Sequence, residues 1–157
     1  MPLTLAEVLK ASIGFEKMMS EFYRRFAEVA PAHKILLLRF SSDEARHAEI
    51  ITQLIEEASG AILSQQTPRA VEEALTKAKE GERQLVRVVN SLRASGRVER
   101  ETLYQVMFAN EECSVEFYRT LYSSLGPEER RMLLRILEEE YEHLEAARRL
   151  RSSIRER

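Results

Sequence analysis

Four glutamates and two histidines of this sequence fall at positions that should be apolar. Read at alternating spacings of three and four, the pattern of a helix with one buried face, a first segment gives Leu5, Leu9, Ser12, Glu16, Met19, Tyr23 and Phe26. A second gives Leu37, Phe40, Glu44, His47, Ile51 and Leu54. A third reads Tyr104, Met107, Glu111, Ser114, Tyr118, Leu121 and Leu125, and a fourth Leu133, Ile136, Glu140, His143, Ala147, Leu150 and Ile154. Each stripe is interrupted near its middle by a glutamate. In the second and fourth, a histidine follows three residues later.

Inward-facing carboxylates need a counter-charge. Burying one unpaired carboxylate costs several kcal/mol even after relaxation, and four together repel one another as well. A domain has only about 5–15 kcal/mol of net stability to lose. No Lys or Arg falls on these stripes at the same level, which leaves metal. Two divalent cations balance four glutamates, and two neutral imidazoles add nitrogen ligands without changing that sum. Residues i and i+3 share a helical face. Glu44 with His47, and Glu140 with His143, can thus each serve one metal while their carboxylates bridge, with Glu16 and Glu111 capping the two metals from the other helices. Mixed carboxylate and imidazole ligation suits iron or manganese and also accepts zinc. The third histidine, His33, has Ala30 three residues before it and reads as an ordinary residue near the start of the second segment.

The elements that must position these groups are set by few breakers: Pro31, Gly60, Pro68, Gly81, Gly96 and the pair Gly126-Pro127, with Gly14 inside an otherwise helical pattern. The first segment runs from a Thr4 cap, with Glu7 completing a capping box, to about Val29. The second starts at Pro31 and ends near Gly60, the third spans about Val98 to Leu125, and the fourth begins at Pro127, where Glu128 and Glu129 suit the helix dipole. Residues 61–97 hold one or two shorter amphipathic pieces, near 69–80 and 82–94. Short loops make each flanking pair an antiparallel αα-hairpin. The expectation is an all-α four-helix bundle, one domain over residues 1–157, built from two αα-hairpins joined by a long crossover. A second apolar stripe on the first segment, Val8, Phe15, Phe22 and Val29, needs covering, and a homodimer, with or without exchanged hairpins, is one way to do so.

Composition narrows the function classes. With 24 Lys or Arg against 26 Asp or Glu, the net charge of −2 offers no field for gripping nucleic acid. No stretch approaches the roughly 20 apolar residues of a membrane span. The single cysteine, Cys113, excludes a disulfide framework and any site needing several thiolates, and suits a reducing, cytoplasmic setting.

The two halves repeat each other. Glu16 and Glu111 are each followed five residues later by Glu-Phe-Tyr-Arg, and the spacing to the next ligand glutamate is nearly equal in the two hairpins. This pattern resembles the ferritin-like di-iron carboxylate proteins, and most nearly the rubrerythrin di-iron domain, in which a Glu followed by Phe-Tyr and then Glu-x-x-His recurs in both halves. The resemblance covers nearly the whole chain. It implies a di-iron centre with Glu16, Glu44, His47, Glu111, Glu140 and His143 as ligands. Tyr23 and Tyr118, two turns beyond Glu16 and Glu111 on the same face, can donate their hydroxyls to ligand carboxylates or be plain core tyrosines. Asp43 and Glu139, each preceding a ligand glutamate, can hold a ligating imidazole by its second nitrogen.

Departures from the family pattern matter too. Full-length rubrerythrins carry a four-cysteine iron–sulfur domain, so with Cys113 alone the electrons must come from a separate donor, such as a rubredoxin-like or flavin protein. An extra family glutamate, three residues after the third-helix ligand, is Ser114 here, which leaves a symmetric six-ligand site. Haem is not expected, because the methionine that holds it in bacterioferritins is replaced by Ala45. The resemblance implies an oxidoreductase acting on hydrogen peroxide or dioxygen, with Tyr23 and Tyr118 supplying protons or hydrogen bonds. Iron storage, or a metal-stabilised structural module holding zinc or manganese, remain the alternatives.

Overall fold

Residues 2–155 are described by a computed structural model. Among them run α1 (Leu5–Val29), α2 (Lys34–Glu57), the short α3 (Gly60–Leu63), α4 (Arg69–Ser95), α5 (Arg100–Ser124) and α6 (Pro127–Arg155), with a 3-10 turn at Pro31–His33 before α2. No strand forms among them; the only β-pairing is an isolated antiparallel bridge between Thr4 and Gln66. None of the described helices is long and apolar enough to cross a membrane.

Local chemistry accounts for the helix ends. The capping box forms as expected: the Glu7 amide donates to Thr4 Oγ1 at 3.2 Å, and the Thr4 amide donates to Glu7 Oε2 at 2.7 Å. α1 stops at Ala30, whose φ of −129° and ψ of 70° leave the helical region as a residue before proline must. α4 is closed by Gly96 at φ 64°, whose amide returns to the Leu92 carbonyl at 2.9 Å. Pro127 opens α6 with Glu128 and Glu129 in its first turn.

The hairpins α1–α2 and α5–α6 pack as expected, and α2 also meets α6. The crossover differs from expectation. Of the one or two shorter pieces expected, residues 69–95 form one, a long continuous helix that Gly81 does not break. Glycine in a helix interior costs about 1 kcal/mol relative to alanine. Here that cost is outweighed by burial of Val71, Ala74, Leu75, Ala78, Leu85, Val89 and Leu92 along one face. Gly81 also lets α4 approach α5 closely: a Cβ there would lie 2.5 Å from Asn110 Oδ1.

α4 lies along α1 and α5, and this settles the second stripe of α1. Val8 joins Val71, Ala74 and Leu75 in one core cluster, while Phe15 and Phe22 join Ala78, Leu85 and Val89 in another. The chain covers that stripe itself, so the stripe gives no reason to invoke a second copy. The start of α1 is tied to the crossover by the Leu5 amide, which donates to Gln65 O at 2.8 Å, and the Thr67 amide, which donates to Leu3 O at 2.9 Å.

The core divides in two. One cluster gathers Phe26, Phe40, Tyr104, Met107 and Leu150; the other gathers Leu5, Leu9, Ile51, Leu121, Leu133 and Ile136. The first half of α1 therefore meets the second half of α5 and the reverse, so the two helices run antiparallel. The inward-facing glutamates and histidines sit at the waist between these apolar ends.

Candidate metal centre

All six singled-out side chains are buried: Glu16, His47, Glu111 and Glu140 are 0% exposed, and Glu44 and His143 1%. Helix α1 supplies Glu16, α2 supplies Glu44 and His47, α5 supplies Glu111, and α6 supplies Glu140 and His143. Close approach of α1 and α2 beside the centre is secured by two small residues bonding reciprocally. Ser20 Oγ donates to Ser41 O, and Ser41 Oγ to Ser20 O, both at 2.8 Å.

The six converge into two groups that share two members. One ligand atom from each of Glu16, Glu44, His47 and Glu140 lies within 4.8 Å of the others, and the same holds for Glu44, Glu111, Glu140 and His143. His47 Nδ1 is 3.1 Å from Glu44 Oε2, 3.0 Å from Glu140 Oε1 and 3.6 Å from Glu16 Oε2. His143 Nδ1 is 3.0 Å from Glu44 Oε1 and 3.8 Å from both Glu111 Oε1 and Glu140 Oε2. Glu44 and Glu140 are the two members common to both groups.

Three ligand oxygens, Glu16 Oε2, Glu111 Oε2 and Glu140 Oε2, are buried without a hydrogen-bond partner. A buried carboxylate oxygen left this way is costly. Two oxygen-rich pockets, each with one imidazole, are the donor set that divalent iron or manganese takes, so the residues present fit a metal pair. Ser114 Oγ, on the same stripe of α5, is also buried and unpartnered.

Without metal the electrostatics are those of a crowded acid cluster. Burial, followed by repulsion from neighbouring carboxylates, pushes Glu44, Glu111 and Glu140 above the usual carboxylate range. Burial opposes charge on the histidines, but the surrounding carboxylates overcome it. His143 is pushed up to about 12, held by Asp43 and Glu44, and His47 is raised further still by Glu140, Glu16 and Glu44.

Around the six lies a layer whose connections cross between the halves. Tyr23 OH of α1 donates to Glu111 of α5, and Tyr118 OH of α5 donates to Glu16 of α1. Burial and the adjacent carboxylates push both phenols well above the usual tyrosine range, so both carry their protons. His47 Nε2 lies 2.9 Å from Glu139 Oε2, and His143 Nε2 lies 3.0 Å from Asp43 Oδ2. A carboxylate can only accept, so Nε2 carries a proton in each ring; Nδ1, which faces the carboxylates of the centre, holds the second proton in the metal-free protein and is the nitrogen that would be left free for a metal once that proton is lost. Asp43 and Glu139 each hold an imidazole, but the one on the opposite helix. Phe40 packs against His143 with ring centroids 4.2 Å apart.

Arg46 was not among the residues that the stripes single out. It lies between Glu44 and His47 but off the inward face, and its Nη2 is 2.9 Å from Asp43 Oδ1 and 2.6 Å from Glu139 Oε2. Its position three residues after Asp43 is a sequence signal for the first contact; nothing local signals the second. His33 and Cys113 stay outside both groups. The ring of His33 lies beside Tyr104, and Cys113 packs half-buried against the core.

Bundle and site together define a ferritin-like helical bundle whose waist gathers four glutamates and two histidines into two overlapping groups able to hold metal. The sequence model of the family described as Rubrerythrin matches residues 7–151, nearly the whole chain, and the protein belongs to the rubrerythrin family. Membership implies a di-iron site. Neither the curated proteins nor the solved structures compared with the chain gave a match.

Proposed function

We propose that Glu16, Glu44, His47, Glu111, Glu140 and His143 hold two iron ions, and that the protein reduces hydrogen peroxide or dioxygen with electrons from a separate redox protein. The observation that carries this reading is the pair of fully buried ligand groups sharing Glu44 and Glu140, with three carboxylate oxygens left unpartnered. When bound, a ferrous pair supplies two electrons together, so hydrogen peroxide, two electrons and two protons give two waters without release of a one-electron radical.

The chain's own residues set the conditions. Glu44 and Glu140, approached by both imidazoles, would be shared between the two ions. Tyr118 and Tyr23 each hold a buried proton against a carboxylate of the centre, Glu16 and Glu111 respectively. The apolar clusters above and below exclude bulk water. Cys113 alone cannot build a thiolate cluster, and the electrons are drawn from a donor of rubredoxin-like or flavin type.

Stopped-flow oxidation of the ferrous-loaded protein tests the reading. Peroxide is expected to oxidise the bound iron much faster than free ferrous ion and to leave a two-electron product. Oxidation no faster than that of free iron sinks the peroxidase reading. Metal analysis of protein purified without added metal is expected to give two irons per chain; two zincs would make the site structural.

A further inference from the structure

The repeat predicts two equivalent halves, but the charges behind the two histidines are unequal. Asp43 and Glu139 occupy matching positions, each one residue before a bridging glutamate, and each holds the imidazole of the opposite helix. Glu139 is met by two guanidinium groups. Arg46 Nη2 contacts Oε2 at 2.6 Å, the same oxygen that His47 Nε2 approaches at 2.9 Å, and Arg135 Nε contacts Oε1 at 3.1 Å. Asp43 is met by one. Arg46 takes its Oδ1 at 2.9 Å and leaves Oδ2 to His143. Arg39 stands four residues before Asp43 as Arg135 stands before Glu139, but its guanidinium lies over the Phe40 ring at 5.5 Å and makes no ion pair with Asp43. The position matching Arg46 in the second half is Glu142, so no second bridging arginine restores the symmetry.

A carboxylate behind a metal-bound imidazole draws on the Nε2 proton and makes Nδ1 a stronger donor, and its loss typically lowers metal affinity about 10- to 100-fold. A carboxylate whose charge is already shared with two guanidinium groups, one on each oxygen, accepts less strongly. The imidazole of His143, backed by the less compensated Asp43, is therefore the better ligand. We infer that Arg46 and Arg135 make the centre asymmetric, so that the pocket of His143 and Glu111 takes the first metal ion and the pocket of His47 and Glu16 takes the second, more weakly. Arg135 and Arg46 act as positioning and tuning residues, through Glu139, and touch no ligand atom of the centre themselves.

The inference rests on the two-metal reading above, and a titration separates the two. Metal-free full-length protein is titrated with Mn2+ by calorimetry. Fewer than two equivalents bound by the unaltered protein would remove the two-metal reading itself. Given two equivalents, two resolved steps are expected. Arg135 is 62% exposed, so Arg135→Gln leaves packing intact. It should tighten the weaker step by about 3- to 10-fold, a fraction of the effect of losing the partner carboxylate outright, and leave the tighter step unchanged. Arg135→Lys should restore the original ratio. Glu139→Gln should weaken the weaker step alone, and Asp43→Asn the tighter one. A single step of equal affinities in the unaltered protein overturns the inference. So does an Arg135→Gln variant whose two steps keep their ratio.

Discussion

Withdrawing the metal leaves protons to do its work, and the cost appears as a dependence of stability on pH. In the metal-free protein His143 is held up to about 12 and His47 is raised further, both by the carboxylates around them. The unfolded chain releases both protons near pH 6.5. A group whose pKa is raised by folding contributes its full stabilisation below the unfolded value and loses it as pH climbs toward the folded one. Above pH 6.5 each imidazole thus lowers stability by about 1.4 kcal/mol per pH unit, and the two together by about 2.7. Glu44, Glu111 and Glu140 are shifted upward too, so their contribution has the same sign, lost as pH climbs from the usual carboxylate range toward the folded value. From pH 7.5 to 9.0 the histidines alone remove about 4 kcal/mol, which for a chain of this size lowers Tm by roughly 10 °C. Metal binding replaces those protons, so the loaded protein should hold its Tm over the same range. Thermal unfolding by circular dichroism, on chelated and Mn2+-loaded protein side by side, measures both. A metal-free Tm that stays constant from pH 7.5 to 9.0 refutes the reasoning, as does an equal fall in the loaded protein.

Three further outcomes follow from other contacts. Gly81→Ala should destabilise the metal-free protein by about 1 kcal/mol in urea unfolding even though alanine favours helix, because the new Cβ displaces the Asn110 side chain from Val106 O; in an Asn110→Ala background the same change should stabilise. Tyr118→Phe removes the donor to Glu16 and Tyr23→Phe the donor to Glu111. Each should lower metal-free stability by about 1–3 kcal/mol and slow peroxide oxidation in stopped flow, with no change in the number of metals bound. Leu85→Ala, at a 0% exposed position of α4, should cost about 2–5 kcal/mol in denaturant unfolding while metal stoichiometry stays at the unaltered protein's value.

The centre was legible in the sequence to the extent that it is local. Glu16, Glu44, His47, Glu111, Glu140 and His143 could be found because helical periodicity fixes which face each residue takes, and because a carboxylate on an apolar stripe demands an explanation. The hairpins were legible for the same reason, through Pro31 and Gly126-Pro127. What lay beyond reach depends on which helices meet. That Asp43 serves His143 and Glu139 serves His47, rather than the nearer ring in each case, follows from α2 lying against α6. Arg46 went unnoticed because it faces sideways, toward a carboxylate of a distant helix. Gly81 misled because its helix penalty is a local property, while its benefit, room for Asn110, exists only once α4 is seated. The cover for the second stripe of α1 was hidden with it, since a continuous α4 was needed to supply it.

The crossed connections have a consequence for how such a protein could be divided. The first hairpin carries Glu16, Tyr23, Asp43, Glu44 and His47, one of every kind of group the centre uses. Yet Tyr23 serves Glu111, Asp43 serves His143, and Glu16 and His47 look to Tyr118 and Glu139 for their own support. Neither hairpin supports its own ligands. One hairpin taken alone would keep its glutamates and histidine but lose the groups that hold them, so the buried centre is complete only when both hairpins are present and docked.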